Sequence, residues 1–295
     1  MLTHAYADLT TGIRLHYVTE GTGKLILFLH GNPAFWYGWK RQLPAFSSRY
    51  QVVAPDLPGY NLSSKPEQIE RYRLNVIADD IRALVEVLGH KTFILVGHVL
   101  GGAIGWHVAA KYPVMLEKFV AICNWPPDVY RRSLRRHPEE HKEPDYIEYV
   151  LQPDFAEWLA KDNYAHLVWS ELGEAQGLKP GTFNEEDKQS YIDAWSQPGA
   201  LACSLKYYHA LFGEMRQAIQ QTTDEDLLPS IQVPTLLIYG EKEDFGSGPI
   251  RPYTFDYLNE LVPNVTVSAI SDGSHVLIYD YAELVNTLIG EFLED

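Results

Sequence analysis

The side chains best suited to catalysis stand in short loops that are far apart in the sequence. His275 ends the loop Ser-Asp-Gly-Ser-His, directly after the apolar segment 265–270. Glu243 and Asp244 end the loop Gly-Glu-Lys-Glu-Asp, after the apolar segment 236–239. A carboxylate beside an imidazole fixes the tautomer of the ring and stabilises its protonated form. If the fold brings these loops together, we expect His275 to act as a base, with Glu243 or Asp244 as its partner.

A third loop has the pattern of a catalytic turn but lacks a nucleophile. The apolar segment 93–96 is followed by Gly-His-Val-Leu-Gly-Gly at 97–102 and then by a helical run. A strand, a turn of this glycine spacing and a helix form a nucleophile elbow, in which the central residue is strained. That residue is Val99, which cannot attack a substrate. The backbone N–H of Leu100 can still stabilise an oxyanion, and we expect the second such donor at Asn32 or its neighbour.

Length, charge and cysteine content limit the classes of protein to which the chain can belong. A chain of 295 residues can form one large core, or one core with an inserted subdomain. The formal net charge of −15 argues against nucleic acid or an anionic membrane as a partner. Cys123 and Cys203 have no metal-type spacing and favour a reducing compartment. With no signal-peptide pattern and no apolar run that could span a bilayer, we expect a cytoplasmic monomer or homodimer that needs neither metal nor cofactor.

Apolar runs alternate with amphipathic segments through much of the chain. Uninterrupted apolar runs are typical of strands that are covered on both faces of a parallel sheet. The predicted strands follow a hairpin over 6–20 and are residues 25–29, 51–55, 93–96, 119–123, 234–239 and 265–270. The predicted helices in these regions are residues 36–47, 72–89, 103–111, 252–261 and 281–293. The alternation predicts an α/β fold with a mostly parallel, doubly wound sheet.

Residues 128–225 interrupt the alternation. They lack apolar strand runs, are rich in Trp, Tyr, Glu, Lys and His, and contain helix-breaking glycines and prolines. We therefore predict a helical cap over 128–225, inserted into a core made of residues 1–127 and 226–295.

Five segments resemble motifs of the epoxide hydrolase branch of the α/β-hydrolases. Residues 30–39 resemble that branch's HGxPxxWYxW segment, residues 56–61 its D-L/R-x-G-Y loop, and residues 97–102 its G-H-D-W-G-G elbow. In the cap, residues 145–149 and 206–209 resemble the two segments that supply a pair of tyrosines. The resemblance covers nearly the whole chain and implies the α/β-hydrolase fold with an inserted helical cap.

The resemblance also implies a chemistry. In this family an Asp attacks an epoxide carbon while two cap tyrosines hydrogen-bond the oxygen, and a His-activated water then hydrolyses the ester. The implied donors are Tyr146 and Tyr208, with Tyr149 and Tyr207 as alternatives, and the implied base is His275. The residues expected to contact substrate are Phe35, Trp36, Tyr149, Tyr207 and Val276.

Four positions depart from the family pattern. Val99 stands where the family has its nucleophile Asp, and Leu100 where it has Trp. Val276 replaces an aromatic residue often found after the catalytic His, and Glu243 stands where Asp is usual. Our hypothesis is an epoxide hydrolase with a remodelled site that acts on a small apolar epoxide or epoxy alcohol without a covalent intermediate. Either His275 activates water, or a hydroxyl of the substrate attacks and gives a cyclic ether.

Other functions remain open from the sequence. A haloalkane dehalogenase would share His-Gly-Asn-Pro at 30–33 but needs an Asp nucleophile and a second halide donor, and a serine esterase or lyase needs Ser at position 99. A non-catalytic homologue of the same fold would bind a small molecule without converting it to a product.

Overall fold

The computed structural model of the chain describes residues 1–137, 146–173, 175, 177–221, 228–243 and 252–294. Eight strands in the described part form one sheet, in the order β1-β2-β4-β3-β5-β6-β7-β8. The strands are β1 (Thr3–Asp8), β2 (Arg14–Glu20), β3 (Leu25–Leu29), β4 (Gln51–Pro55), β5 (Phe93–His98), β6 (Leu116–Ile122), β7 (Thr235–Gly240) and β8 (Val265–Ile270).

The direction of the strands confirms the predicted fold class. Strand β2 is antiparallel to both of its neighbours, β1 and β4, as the predicted hairpin requires. Every other neighbouring pair in this sheet is parallel. The carboxyl ends of β3, β5, β6, β7 and β8 therefore meet at one edge, where an α/β sheet binds its ligands.

The helices of the described part either pack on the two faces of the sheet or lie in the chain segment between β6 and β7. They are α1 (Leu43–Phe46), α2 (Leu74–Val87), α3 (Leu100–Lys111), α4 (Pro127–Arg136), α5 (Tyr146–Val150), α6 (Phe155–Leu159), α7 (Lys161–Glu171), α8 (Glu185–Trp195), α9 (Ala200–Gln221), α10 (Pro252–Leu261), α11 (Leu277–Asp280) and α12 (Ala282–Glu294). Short 3-10 helices span Trp36–Trp39 and Ile69–Tyr72. The helix predicted over 36–47 is thus two short helices, because Pro44 in the first turn of α1 favours a new helix start there.

The apolar strand residues pack in two layers. In β3, Leu25, Leu27 and Leu29 face the cluster that contains α2 and α3, and Ile26 and Phe28 face the cluster that contains α1 and α12. Successive side chains of a strand point to opposite faces, so a strand that is buried on both faces is apolar throughout. This is the reason that the apolar runs mark the strands.

The helices α4 to α9 lie in the sequence between β6 and β7, which are hydrogen-bonded neighbours in the sheet. The chain leaves the sheet after β6, and the described residues between 127 and 221 form helices and no strand before β7 begins. The boundaries of the predicted cap at 128 and 225 stay a prediction. Among the described residues, we find no helix with the length and apolar character that crossing a membrane requires.

Candidate active site

The turn between β5 and α3 has the strained geometry of an elbow. Val99 has φ of 51° and ψ of −111°, which side chains with a branched Cβ rarely adopt. A Cβ on Gly97 would lie 2.4 Å from the carbonyl oxygen of Gly101, and a Cβ on Gly101 would lie 2.0 Å from the carbonyl oxygen of Leu29. Only glycine fits at these two positions, so the backbone can pass close enough to turn sharply at Val99.

Hydrogen bonds of both its N–H and its carbonyl group fix the backbone of Val99. Its N–H donates to the carbonyl oxygen of Ile122 at 3.0 Å, and its own carbonyl accepts from the N–H of Ala103 at 2.9 Å. Leu100 is the first residue of α3, so its N–H has no partner within the helix and can donate to a ligand. The side chain of Leu100 packs into the core cluster that contains α2 and α3.

The structure pairs His275 with Glu243. The two residues follow β8 and β7, which are neighbours in the sheet. Nδ1 of His275 lies 2.7 Å from Oε1 of Glu243, and their side chains are 13% and 11% exposed. Asp244, the alternative acid, lies outside the described residues. A carboxylate at Nδ1 selects the tautomer that carries its proton there, so Nε2 is the ring atom that can accept one.

A second histidine supports this pair, although sequence analysis did not select it. His98 is buried, and its Nε2 donates to the backbone carbonyl of His275 at 2.9 Å. Burial lowers the pKa of His98 to about 3, so the ring is neutral. The available signal was the Gly-His pair that precedes Val99 in the elbow motif.

Asn32 connects the loop after β3 to the cap. Its Nδ2 donates to the hydroxyl of Tyr208 at 3.1 Å, and its Oδ1 accepts from the hydroxyl of Tyr60 at 2.8 Å. Tyr208 is half-buried, and its ring stacks on Phe212 with ring centroids 5.7 Å apart. Burial holds the pKa of Tyr60 well above its usual range, so this phenol stays protonated and donates. Tyr60, which sequence analysis missed as a site residue, lies in the Asp-Leu-Pro-Gly-Tyr motif.

The other three tyrosines expected in the site differ in their surroundings. Tyr146 is the first residue of α5, and its side chain lies outside the described residues. Tyr149 is 63% exposed. Tyr207 is buried, and its hydroxyl donates to the carbonyl of Pro58 at 3.0 Å. Tyr149 and Tyr207 were expected to contact substrate, but one faces solvent and the other belongs to the core, so we remove both from the site.

A narrow cavity lies between the elbow, His275 and helices α7 and α8. Asn32, Val99, His275 and Val276 line it from the core. The cavity volume of about 30 Å³ has room for roughly two water molecules. A small polar reactant can therefore lie next to the base.

The cap and α11 line the cavity with residues that the sequence did not indicate. They are Glu171, Tyr191 and Tyr279. The hydroxyls of Tyr191 and Tyr279 lie 3.0 Å apart. Burial, together with the nearby negative charge of Glu171, raises the pKa of Tyr279 to about 12. A four-residue spacing from His275 to Tyr279 was the one available signal.

Two expected pocket residues lie beside the cavity. Phe35 is buried and lines an adjacent smaller cavity that shares Pro33 and Ala34 with the first. Trp36 packs edge-on against the ring of His4 in β1, with centroids 5.3 Å apart, and does not line the cavity. We remove Trp36 from the site and retain Phe35 only as a neighbour of it.

Comparisons with known proteins agree with this fold. A model of the alpha/beta hydrolase fold family matches residues 24–282. The chain is 35% identical to Epoxide hydrolase 4 of Mus musculus, over 99% of this chain and 80% of that protein. It is 36% identical to the AB hydrolase superfamily protein YfhM of Bacillus subtilis, over 97% of this chain and 96% of that protein.

A solved structure is similar over the full length. It is a mutant of an epoxide hydrolase from Bacillus megaterium in complex with its product, a naphthyloxy-propane-1,2-diol. The TM-score is 0.87 and the identity is 30%, over 99% of this chain and 100% of that chain. The chain therefore belongs to the α/β-hydrolase fold family and is a hydrolase of the epoxide hydrolase type.

Proposed function

We propose that this chain opens small apolar epoxides or epoxy alcohols without forming an ester at the elbow. One observation carries the proposal: His275 lies 2.7 Å from its carboxylate partner Glu243 and lines a cavity together with the isopropyl group of Val99. The elbow position therefore offers no carboxylate nucleophile. The base must act on another oxygen, and the small cavity favours a small reactant.

In the first route the attacking oxygen is that of water. Nε2 of His275 takes a proton from the water as its oxygen forms a bond to an epoxide carbon, and the carbon–oxygen bond of the ring breaks. The hydroxyl of Tyr208, oriented by Asn32, donates its proton to the oxygen that leaves. The proton on His275 then returns to the phenolate, and the product is a diol.

Tyr146 would be the second donor to the epoxide oxygen, as its place at the start of α5 in the cap suggests. In the second route a hydroxyl of an epoxy alcohol replaces the water and gives a cyclic ether. Intramolecular attack gains from proximity, and the aliphatic side chains of Val99 and Val276 help to exclude water.

A turnover assay tests the proposal. The purified chain is incubated with a simple aryl epoxide and with an epoxy alcohol, and the diol and cyclic ether are measured. We expect Tyr208→Phe to reduce turnover at least about tenfold, because it removes a donor to the developing alkoxide. Tyr149→Phe, which alters an exposed tyrosine of the same cap, should leave turnover unchanged. If wild type and Tyr208→Phe have equal rates on both substrates, the proposal is wrong.

A non-catalytic receptor is the second candidate, and Val99 is the observation that favours it. A receptor would bind an apolar ligand in the same cavity without product formation. It would also tolerate His275→Ala, whereas the catalytic proposal requires that this variant lose turnover.

A further inference from the structure

Three side chains with metal-binding atoms converge at the carboxyl edge of the sheet. Cys123 follows β6, Glu243 follows β7 and His275 follows β8, and these are three successive strands of the sheet. A thiol sulfur, a carboxylate oxygen and a ring nitrogen, one from each residue, all lie within 4.8 Å of one another. Sulfur, imidazole nitrogen and carboxylate oxygen are the ligands that Zn²⁺ takes in proteins.

The separations are close to those of a bound zinc ion. Bond lengths of about 2.3 Å to sulfur and about 2.0–2.2 Å to nitrogen and oxygen place tetrahedral ligand atoms about 3.4–3.6 Å apart. Nδ1 of His275 and Oε1 of Glu243 are 2.7 Å apart and would have to separate by less than about 1 Å. The thiol would have to approach by no more than about 1.4 Å. Small rotations of three side chains are sufficient.

The surroundings of the cluster also favour a cation. Oε2 of Glu243 is buried and has no hydrogen-bond partner within the described part of the chain. A buried acceptor without a partner is unfavourable, and a cation bound by both carboxylate oxygens of Glu243 would satisfy it. Cys123 is 3% exposed and lies among these groups, so its thiol is already buried beside the other two ligand atoms.

We propose that Cys123, Glu243 and His275 form a binding site for a thiophilic divalent cation, with Zn²⁺ as the expected ion. Three protein ligands leave the fourth tetrahedral position for water. The thiol gives up its proton when the metal binds. The ligands come from distant parts of the chain, which is why the spacing of its two cysteines predicted no metal.

A metal ion bound at this site would prevent His275 from acting as a base. A metal bound to the ring nitrogen and to the carboxylate replaces the hydrogen bond between His275 and Glu243. With the metal on Nδ1, the ring proton is carried by Nε2, which can then no longer accept a proton from water. This consequence, though not the binding itself, rests on the proposed function.

Metal binding is tested first without any assay of activity. The folded chain is titrated with Co²⁺, and the thiolate-to-cobalt charge-transfer absorption is recorded. The chain has only two cysteines, so Cys203→Ser, which alters the buried thiol on α9, is the matched control. We expect the absorption in wild type and in Cys203→Ser, and its loss in Cys123→Ser. Since partners that merely contact metal ligands contribute about 10–100-fold to affinity, Cys123→Ser should weaken Zn²⁺ binding by more than roughly 100-fold.

A folded wild-type chain without this absorption, or a Cys123→Ser variant that keeps it, would overturn the proposal. Should Cys123→Ser not fold, Glu243→Gln serves instead, with the absorption retained at saturation and Co²⁺ affinity at least about tenfold lower; unchanged affinity would also overturn the proposal. A second experiment adds Zn²⁺ to the turnover assay, where inhibition should reverse with a chelator and be absent in Cys123→Ser. If no epoxide is turned over, the cobalt titration still decides the metal site, so the two proposals fail separately.

Discussion

Val99 has the strained backbone of an elbow residue and a side chain that cannot act as a nucleophile. Its backbone has the strained φ of an elbow, and its side chain lies in the cavity that contains His275. A Cβ on Gly31 would lie 3.1 Å from Cβ of Val99, so the loop after β3 approaches the elbow closely. The Cβ of Val99 is therefore closely packed. A substitution at position 99 should leave the backbone of the site unchanged when the new side chain has a size similar to that of valine.

We expect Val99→Asp to gain the covalent route. The carboxylate would lie beside the base and the N–H of Leu100, where it can attack an epoxide carbon and be released by water that His275 activates. Loss of a covalent nucleophile costs about a millionfold in a triad enzyme, so a partial gain should raise diol formation by at least about a hundredfold. Steady-state rates and mass spectrometry of the trapped ester measure this gain.

Val99→Asn is the control for that variant, because asparagine has the size of aspartate but carries an amide instead of the nucleophilic carboxylate. If Val99→Asp and Val99→Asn give equal rates of diol formation, the side chain at position 99 does not reach the substrate. The elbow would then have another role.

At the residue scale, the sequence could single out His275 as the candidate base but could not choose its carboxylate partner. Two acids follow β7, and only the observed hydrogen bond selects Glu243. Tyr207 and Tyr208 are adjacent, and neighbouring helical residues point about 100° apart. One therefore enters the core and the other meets Asn32, which a pattern of two tyrosines cannot distinguish.

At the scale of the elements, the carboxyl ends of parallel strands position the site. The elbow follows β5, Asn32 follows β3, Glu243 follows β7 and His275 follows β8. Strands β3, β5 and β7 are buried along nearly their whole length, so their apolar runs made their positions predictable from the sequence, whereas the edge strand β8 is only partly buried. The kink in α7 was not predictable, since its left-handed residues 162–164 are Asp, Asn and Tyr in an otherwise helical pattern.

Close packing of the elbow against β3 predicts a large effect of a single methyl group. Gly101→Ala would place its Cβ 2.0 Å from the carbonyl oxygen of Leu29, so backbone must move. We expect a loss of at least about 2 kcal/mol in the free energy of unfolding, measured with urea. Gly290→Ala, in α12, meets nothing within 4 Å and should instead stabilise by roughly 0.5–1 kcal/mol. Equal effects of the two changes would contradict the packing described for the elbow.

At the scale of the whole molecule, buried neutral histidines link stability to pH. Burial lowers the pKa of His98 to about 3 and that of His30 and of His107 to about 4. In the unfolded chain a histidine has a pKa of about 6.5, so below this pH the unfolded state binds protons that the native state does not. Stability is therefore retained above pH 6.5 and is lost as the pH falls toward 4.

We expect the free energy of unfolding to fall by about 2 kcal/mol or more between pH 7 and pH 5. Urea denaturation at the two pH values measures this difference. His98→Gln keeps an N–H donor toward the carbonyl of His275 and has no ring to protonate, so the difference should shrink by about 1–2 kcal/mol. A pH dependence equal to that of wild type would show that His98 does not contribute to it.

The source of the oxygen in the product tests the central claim most directly. The wild-type chain, in excess over substrate, is allowed a single turnover in ¹⁸O-labelled water. We predict that the diol formed from an aryl epoxide carries ¹⁸O from the first turnover, and that the cyclic ether formed from an epoxy alcohol carries none. A first-turnover diol with unlabelled oxygen would mean that a carboxylate of the protein, such as Glu171, attacks the epoxide, and would contradict the account.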